Sequence, residues 1–367
     1  MKNYIILIFL CLFSSCQKPQ IAKVQIIDAP VAVEIVPKAD TLILADLFGM
    51  FEHIELKGIL LGDISDVKLV NNLILVQSKV QGKDIHIFDR GGNYIRSIIR
   101  YGRANNEVLN LQSFCYNKYK NTIDVLCNYG TEIKQYTIDK NLSPITISLP
   151  KESIIAAKDI EIVDDSTYVL YKDISYLDSL EFKLYLFNYQ EKSIIGKFIP
   201  LNKEIEEKIS FSQNNNLYTH DGKIFFYEVF QNGIFEIANK KIHPIIAFTE
   251  NSYTLPPETF VRCKNTIELI QYCKESNYIW AHINCIQWNK LIFSFFTYNQ
   301  KIYGNVIDLI NHKSRSYLYV RDDLFSNSTY PINKFNIIGS DDNKLICNYR
   351  IASEGNSYLL FLQDRNS

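Results

Sequence analysis

Short alternating runs of β-branched and aromatic residues, each introduced by a polar turn, recur along most of this chain. The clearest copies are Leu73–Gln77, Thr122–Asn128, Thr167–Tyr171, Ile224–Val229, Leu291–Phe296 and Leu345–Tyr349. They follow the turns Asn71-Asn72, Asn117–Asn121, Asp164-Asp165-Ser166, Asp221-Gly222, Asn289-Lys290 and Asp341-Asp342-Asn343. Period-two alternation marks a strand, and Asn, Asp and Gly are the residues that tight hairpin turns accept. The copies start 49, 45, 57, 67 and 54 residues apart. A four-stranded blade needs about 40–50 residues, so the spacing predicts an all-β, six-bladed β-propeller with variable loops.

Taking the first unit as the template, the four strands fall at Asp63–Val70, Leu73–Gln77, Asp84–Asp89 and Tyr94–Arg100. Third strands recur at Glu132–Asp139, Phe182–Asn188, Gly233–Asn239, Ile302–Leu309 and Ser357–Asp364. Fourth strands recur at Pro144–Leu149, Ser193–Ile199, Lys241–Phe248 and Arg315–Val320. The sixth unit runs out after its third strand, while Glu52–Lys57 is one strand too many before the first blade. Placing Glu52–Lys57 on the outside of blade six closes the ring and covers an edge that would otherwise template aggregation. The propeller is expected over 41–367, broken by a helical insertion at about 251–278, where Pro256-Pro257 precedes a helical spacing of apolar residues.

The first residues read differently. Lys2, the apolar run Tyr4–Phe13 and the small pair Ser14-Ser15 before Cys16 form a signal too short to span a bilayer. Cys16 directly after the small pair resembles a bacterial lipobox, which implies a signal over 1–15, cleavage, and a lipidated Cys16. Residues 16–40, with Pro19, Pro30 and Pro37, read as a tether. The expected address is the cell envelope, lipid-anchored at the outer membrane, on a face left open. An ordinary secretory signal with an incidental Cys is the alternative. Net charge is −1 with no basic block, which argues against nucleic acid as a partner.

A family resemblance rests on particular residues. The run Leu44–Leu56 followed by Gly62-Asp63-Ile64 resembles the opening of the six-bladed β-propeller lipoproteins of Bacteroidetes. Ile87-Phe88-Asp89 with Gly91-Gly92-Asn93-Tyr94 fits the same family, as does Tyr101–Asn110. In that last segment Gly102, Arg103 and Glu107 match the family pattern Gly-Arg-Gly-Pro-x-Glu, whereas Ala104 and Asn105 replace its Gly-Pro. The resemblance implies a fold and an address. It implies no reaction, so no catalytic residue is carried over.

Local chemistry is sparse. Cys115, Cys127, Cys263, Cys273, Cys285 and Cys347 are even in number. Their spacing favours buried thiols over disulfides, since Cys263 and Cys273 would sit about 80° apart around a helix. The histidines His53, His86, His220, His243, His282 and His312 lack metal-ligand spacing, so no metal and no cofactor are expected. His86, His220 and His282 come from different blades, which leaves open a site assembled across the ring. The acid pairs Asp164-Asp165 and Asp341-Asp342 fall in turns, where Asp bonds the local backbone. Trp280 and Trp288 bracket the first strand of blade five and read as packing between blades.

The segment Tyr101–Asn110, between the outer strand of blade one and the inner strand of blade two, is the leading candidate for ligand binding. Arg103 could engage an anionic or carbonyl group, and Glu107 could pair with it or hold the loop. Asp63 and Asp66 enter blade one near the same rim and complete the candidate set. Three functions compete: an envelope binding or scaffold module for a glycan, peptide or protein; a propeller lyase or hydrolase with its site at the central channel; and a structural subunit of an outer-membrane complex. No recognisable catalytic constellation favours the enzyme, although a site assembled from several blades would leave no local motif.

Overall fold

The computed structural model describes residues 30–79, 83–138, 143–150, 157–172, 182–202, 205, 208–209, 215–229, 232–324, 327–341, 344–350 and 357–364. The signal, Cys16, most of the expected tether and Asp342 lie outside them. Six antiparallel sheets make the six predicted blades. From blade one to blade six the inner strands are Asp63–Val70, Leu111–Asn117, Ala157–Ile162, Leu217–His220, Trp280–Trp288 and Asn336–Asp341.

The turns do what their residues predict. Asn71, Asn121, Asp221 and Asn289 all adopt φ near +50°, the left-handed conformation that Asn and Asp tolerate best. At the far hairpins a strand-ending Asx side chain caps the turn. Asn188 Oδ1 accepts from the amides of Gln190 and Glu191 at 3.0 Å each, and Asp308 Oδ1 accepts from Ile310 and Asn311 at 2.8 and 3.0 Å. The inner strands of five blades slip in register, at Ile64/Asp66, Leu111/Ser113, Ala157/Asp159 and Ile337/Gly339 once each and in blade five twice, at Trp280/Ile283 and Ile283/Ile286. A bulge of this kind re-aims the side chains beside it, here around the propeller axis.

The ring closes as expected. Phe48–Leu56 is the outer strand of blade six, antiparallel to Ser357–Asp364, with Ile54 opposite Leu359. It begins four residues before the predicted Glu52, because Phe48 is itself core: its ring packs 4.9 Å from Trp288. The blade-one hairpin then clasps this strand. Lys57 N donates to Gly92 O at 2.8 Å and Tyr94 N to Lys57 O at 3.0 Å. Gly92 sits at φ +81°, and a Cβ there would lie 2.1 Å from the Glu55 carbonyl. The Gly91-Gly92-Asn93-Tyr94 motif therefore serves closure.

One expectation is corrected. The chain before residue 41 is not all tether, because Val31–Val33 pairs in parallel with the outer strand of blade four, Lys241–Phe248. Asp40–Ile43 does the same on blade five, against Lys313–Asp322. Val33 and Ile35 are buried, so this stretch adds core and covers two sheet edges. The cores lie between blades: Val70, Leu75 and Ile87 of blade one meet Phe114, Ile123 and Val125 of blade two, and the pattern repeats around the ring. All six cysteines in the described residues are buried and free. The insertion forms two helices, Glu258–Arg262 and Thr266–Glu275, the second capped by Asn265 Oδ1 on Glu268 N at 2.9 Å. They pack through Cys263, Leu269 and Cys273 against Ile209 and Leu255. No described helix is long and apolar enough to cross a membrane.

Candidate functional site: the axial channel

The inner strands surround a central cavity of about 600 Å³. Its most charged wall carries Asp66, Lys68 and Glu161, from two strands of the same design, Asp66-Val67-Lys68 in blade one and Asp159-Ile160-Glu161 in blade three. Strand alternation puts the first and third residue of each triplet on one face. Lys68 Nζ reaches past blade two to donate to Glu161 Oε1 at 2.7 Å, lies 3.8 Å from Asp66 Oδ2, and sits 5.5 Å from the centre of the Phe114 ring. Asp159 lies deeper and joins three blades. It accepts from Ser113 Oγ at 2.5 Å and from the amides of Ile160 and Leu217 at 2.9 and 2.8 Å.

Burial governs the electrostatics here. It pushes Asp66 up to about 6, despite the nearby Lys68 ammonium, with Glu161 and Asp159 adding to the rise. Burial also raises Glu161 and Asp159, opposed by Lys68 for the first and mainly by the Ser113 hydroxyl for the second. For Lys68 burial acts downward, but Glu161 and Asp66 outweigh it and hold the ammonium well above its ordinary range. The cluster is a fixed ammonium flanked by carboxyl groups, of which burial raises Asp66 to about 6. On the other side of the channel, His220 Nδ1 meets Ser340 Oγ of blade six at 3.4 Å, and His220 Nε2 lies 3.4 Å from Asp221. Ser340 Oγ in turn donates to Gln287 O at 2.7 Å.

The four sequence candidates do not converge. Asp66 lines the cavity. Asp63 is exposed at the start of the same strand, opposite Lys79. Arg103 and Glu107 are not among the cavity-lining residues, and their loop rests on blade two, where buried Lys134 donates to Asn105 O at 2.6 Å. Glu107 Oε2 accepts from Ala104 N at 3.0 Å and occupies the space a side chain at Gly102 would need, 1.8 Å from a Cβ there. Gly102 and Glu107 thus staple the loop, and Arg103 is left exposed.

Other candidates settle into packing or turns. His86 is buried between Ser97 Oγ at 2.8 Å and Ser78 Oγ at 3.0 Å. His282 stacks on Phe248 at 5.0 Å, and burial pulls it down to about 4. Asp164 Oδ1 accepts from Ser166 N and Oγ at 3.0 Å each; these bonds and Lys240 overcome desolvation and hold the carboxyl at about 2. Among the described residues no group of three or more His, Cys, Asp or Glu is placed to hold a metal. Lys68, Asp159 and Glu161 were missed. Their signal was present: charges two apart inside otherwise apolar inner strands.

A closed six-bladed propeller with a charged axial channel is the class that this geometry defines. The chain belongs to the family described as Domain of unknown function (DUF4934), which matches residues 31–359. Among solved structures it is similar to a "Putative exported protein" from Bacteroides fragilis NCTC 9343, at 16% identity and a TM-score of 0.71, over 92% of this chain and 99% of that one. It is also similar to a structural genomics protein of unknown function from Bacteroides thetaiotaomicron VPI-5482, at 8% identity and a TM-score of 0.49, over 89% of this chain and 75% of that one. The likeness to the Bacteroides fragilis protein concerns the fold alone. No curated protein matches the chain.

Proposed function

We propose that this protein is a cell-envelope lipoprotein acting as a binding module, with a short glycan or peptide held in the axial channel against Asp66, Lys68 and Glu161. The observation that carries the reading is the charged cluster, built from two blades and open to a cavity large enough for a small ligand. The address rests on Lys2, the apolar run Tyr4–Phe13 and Ser14-Ser15-Cys16. It is in keeping with the exported Bacteroides fragilis protein of similar fold.

The channel is tested by thermal shift against oligosaccharides and short peptides. A ligand should raise the melting temperature of the native protein by mass action. Thr219→Trp, which places a large ring on an exposed position of the channel wall, should abolish that rise. Lys68→Met should weaken binding at least about tenfold, the scale of a lost charge-assisted hydrogen bond. A ligand shift that survives Thr219→Trp would place binding elsewhere. The hydrolase or lyase alternative draws on Asp66, raised to about 6 on the same ammonium as Glu161. Product formation in the same panel, lost in Asp66→Asn with binding kept, would establish it.

The address has its own test. Cys16→Ser is expected to move the protein from the membrane to the soluble fraction and to abolish labelling by a fatty-acid analogue. Membrane association that persists without label in the native protein would remove the anchor from the proposal.

A further inference from the structure

Blade two carries a built surface that the channel does not use. In the turn between its second and third strands, Asn128, Tyr129 and Gly130 all have positive φ, at 54°, 61° and 73°. Tyrosine is disfavoured there because its Cβ crowds the backbone. Packing of the ring does not explain the strain, since Tyr129 is 63% exposed. The backbone is instead held by side chains. Asn110 Oδ1 accepts from Tyr129 N at 2.8 Å, Asn128 Oδ1 accepts from Leu109 N at 2.8 Å, and Asn128 Nδ2 donates to Glu132 Oε2 at 2.6 Å.

This frame locks the turn to the Tyr101–Asn110 loop and turns large side chains outward. Leu109 is 48% exposed and Tyr101 46%. Arg100 and Arg103 are exposed on the same segment, and neither guanidinium group has an ion-pair or hydrogen-bond partner among the described residues. The local acids are committed, Glu107 to Ala104 N, Glu132 to Asn128 and Asp84 to Ile85 N. The result is a rigid apolar patch beside two uncommitted guanidinium groups. Tyr and Arg are the residues that interface cores favour, and guanidinium groups take carboxylates bidentately.

We propose that this surface docks an acidic protein segment, with Tyr129 and Leu109 receiving an aromatic or aliphatic side chain and Arg100 and Arg103 its flanking carboxylates.

The test is selection of a random twelve-residue peptide library on the full-length protein, followed by synthesis of an enriched peptide and measurement of its Kd. Enriched sequences should combine Asp or Glu with Phe, Leu or Tyr. Arg100→Ala with Arg103→Ala should weaken the peptide at least tenfold while leaving the melting temperature unchanged. Tyr129→Gly supplies a second reading: it should keep or raise the melting temperature, since glycine accepts the backbone angle, yet still weaken binding. No enrichment, enrichment without an acidic bias, or binding indifferent to these substitutions would overturn the proposal. So would displacement of nothing but a bound anionic polysaccharide such as polygalacturonate, which would assign the arginines to a glycan.

Discussion

Phe48→Ala is expected to lower the free energy of unfolding by about 3–5 kcal/mol, the range for truncating a fully buried aromatic side chain. Phe48 has no exposed surface, and its ring lies 4.9 Å from Trp288 and 6.2 Å from Phe293. It opens the strand that closes the ring, so the cavity forms where the beginning and end of the propeller meet. The same core holds Leu42, Leu44, Val320, Leu345 and Leu362, drawn from the N-terminal strap, blade five and blade six. Three chain segments distant in sequence lose a shared contact at once. Met50 is the internal control, being two residues along the same strand and 49% exposed. Met50→Ala should stay within about 0.5 kcal/mol, as surface substitutions do. Urea unfolding of both variants measures this through the shift in midpoint at constant slope. Equal tolerance of the two substitutions would mean that the closing strand contributes little to the ring.

Closure was legible because it is a matter of counting. Blades come in fours, the sixth unit is one strand short, and Glu52–Lys57 is one strand over; Phe48–Leu56 paired to Ser357–Asp364 satisfies both. The turns were legible because Asn and Asp tolerate the left-handed region, and Asn71, Asn121, Asp221 and Asn289 occupy it. The parallel strands Val31–Val33 and Asp40–Ile43 were not, for a physical reason. Three or four residues are too few to show a period of two, and Pro30 and Pro37 punctuate the stretch as they would a tether.

The site was legible only in part. Asp66 could be placed on an inner strand, and so could Lys68, Asp159 and Glu161, whose i, i+2 spacing marks a single face. What sequence could not supply is the contact from blade one to blade three, because it depends on how far apart two alternate blades stand across the channel. Glu107 makes the opposite point. A Gly-Arg…Glu motif at a blade junction draws attention as chemistry, yet Glu107 is spent on Ala104 N and on the space over Gly102. A motif of this kind marks a backbone that needs holding as readily as a ligand that needs binding.

Asp124→Ala should be the most damaging single polar substitution in the protein, at about 3–5 kcal/mol, the cost of breaking a buried charged network from one side. The carboxylate is fully buried between blades two and three. It accepts from Asn117 Nδ2 at 2.8 Å, Thr122 Oγ1 at 2.6 Å, Gln135 Nε2 at 3.0 Å and Tyr168 OH at 2.5 Å. The first three donors belong to blade two and its turn, whereas Tyr168 crosses from blade three, so the group fixes both a hairpin and a blade-to-blade contact. Burial, with Asp124 beside it, holds the Tyr168 hydroxyl far above its usual acidity range, which keeps the proton where the carboxylate needs a donor. Removing the acceptor strands several buried donors, each costing about 1–3 kcal/mol before the site relaxes. Asp124→Asn keeps the shape but points an NH₂ group at other donors, so it should rescue little. Tyr168→Phe removes one hydrogen bond to a charged group and should cost about 1.5–3 kcal/mol. In the double variant the two effects should fall short of additive by about 1 kcal/mol or more, since both act on one contact. Chemical denaturation of the four proteins closes this cycle. An Asp124→Ala variant within 1 kcal/mol of the native protein, or strict additivity with Tyr168→Phe, would show that this network contributes little to holding blades two and three together.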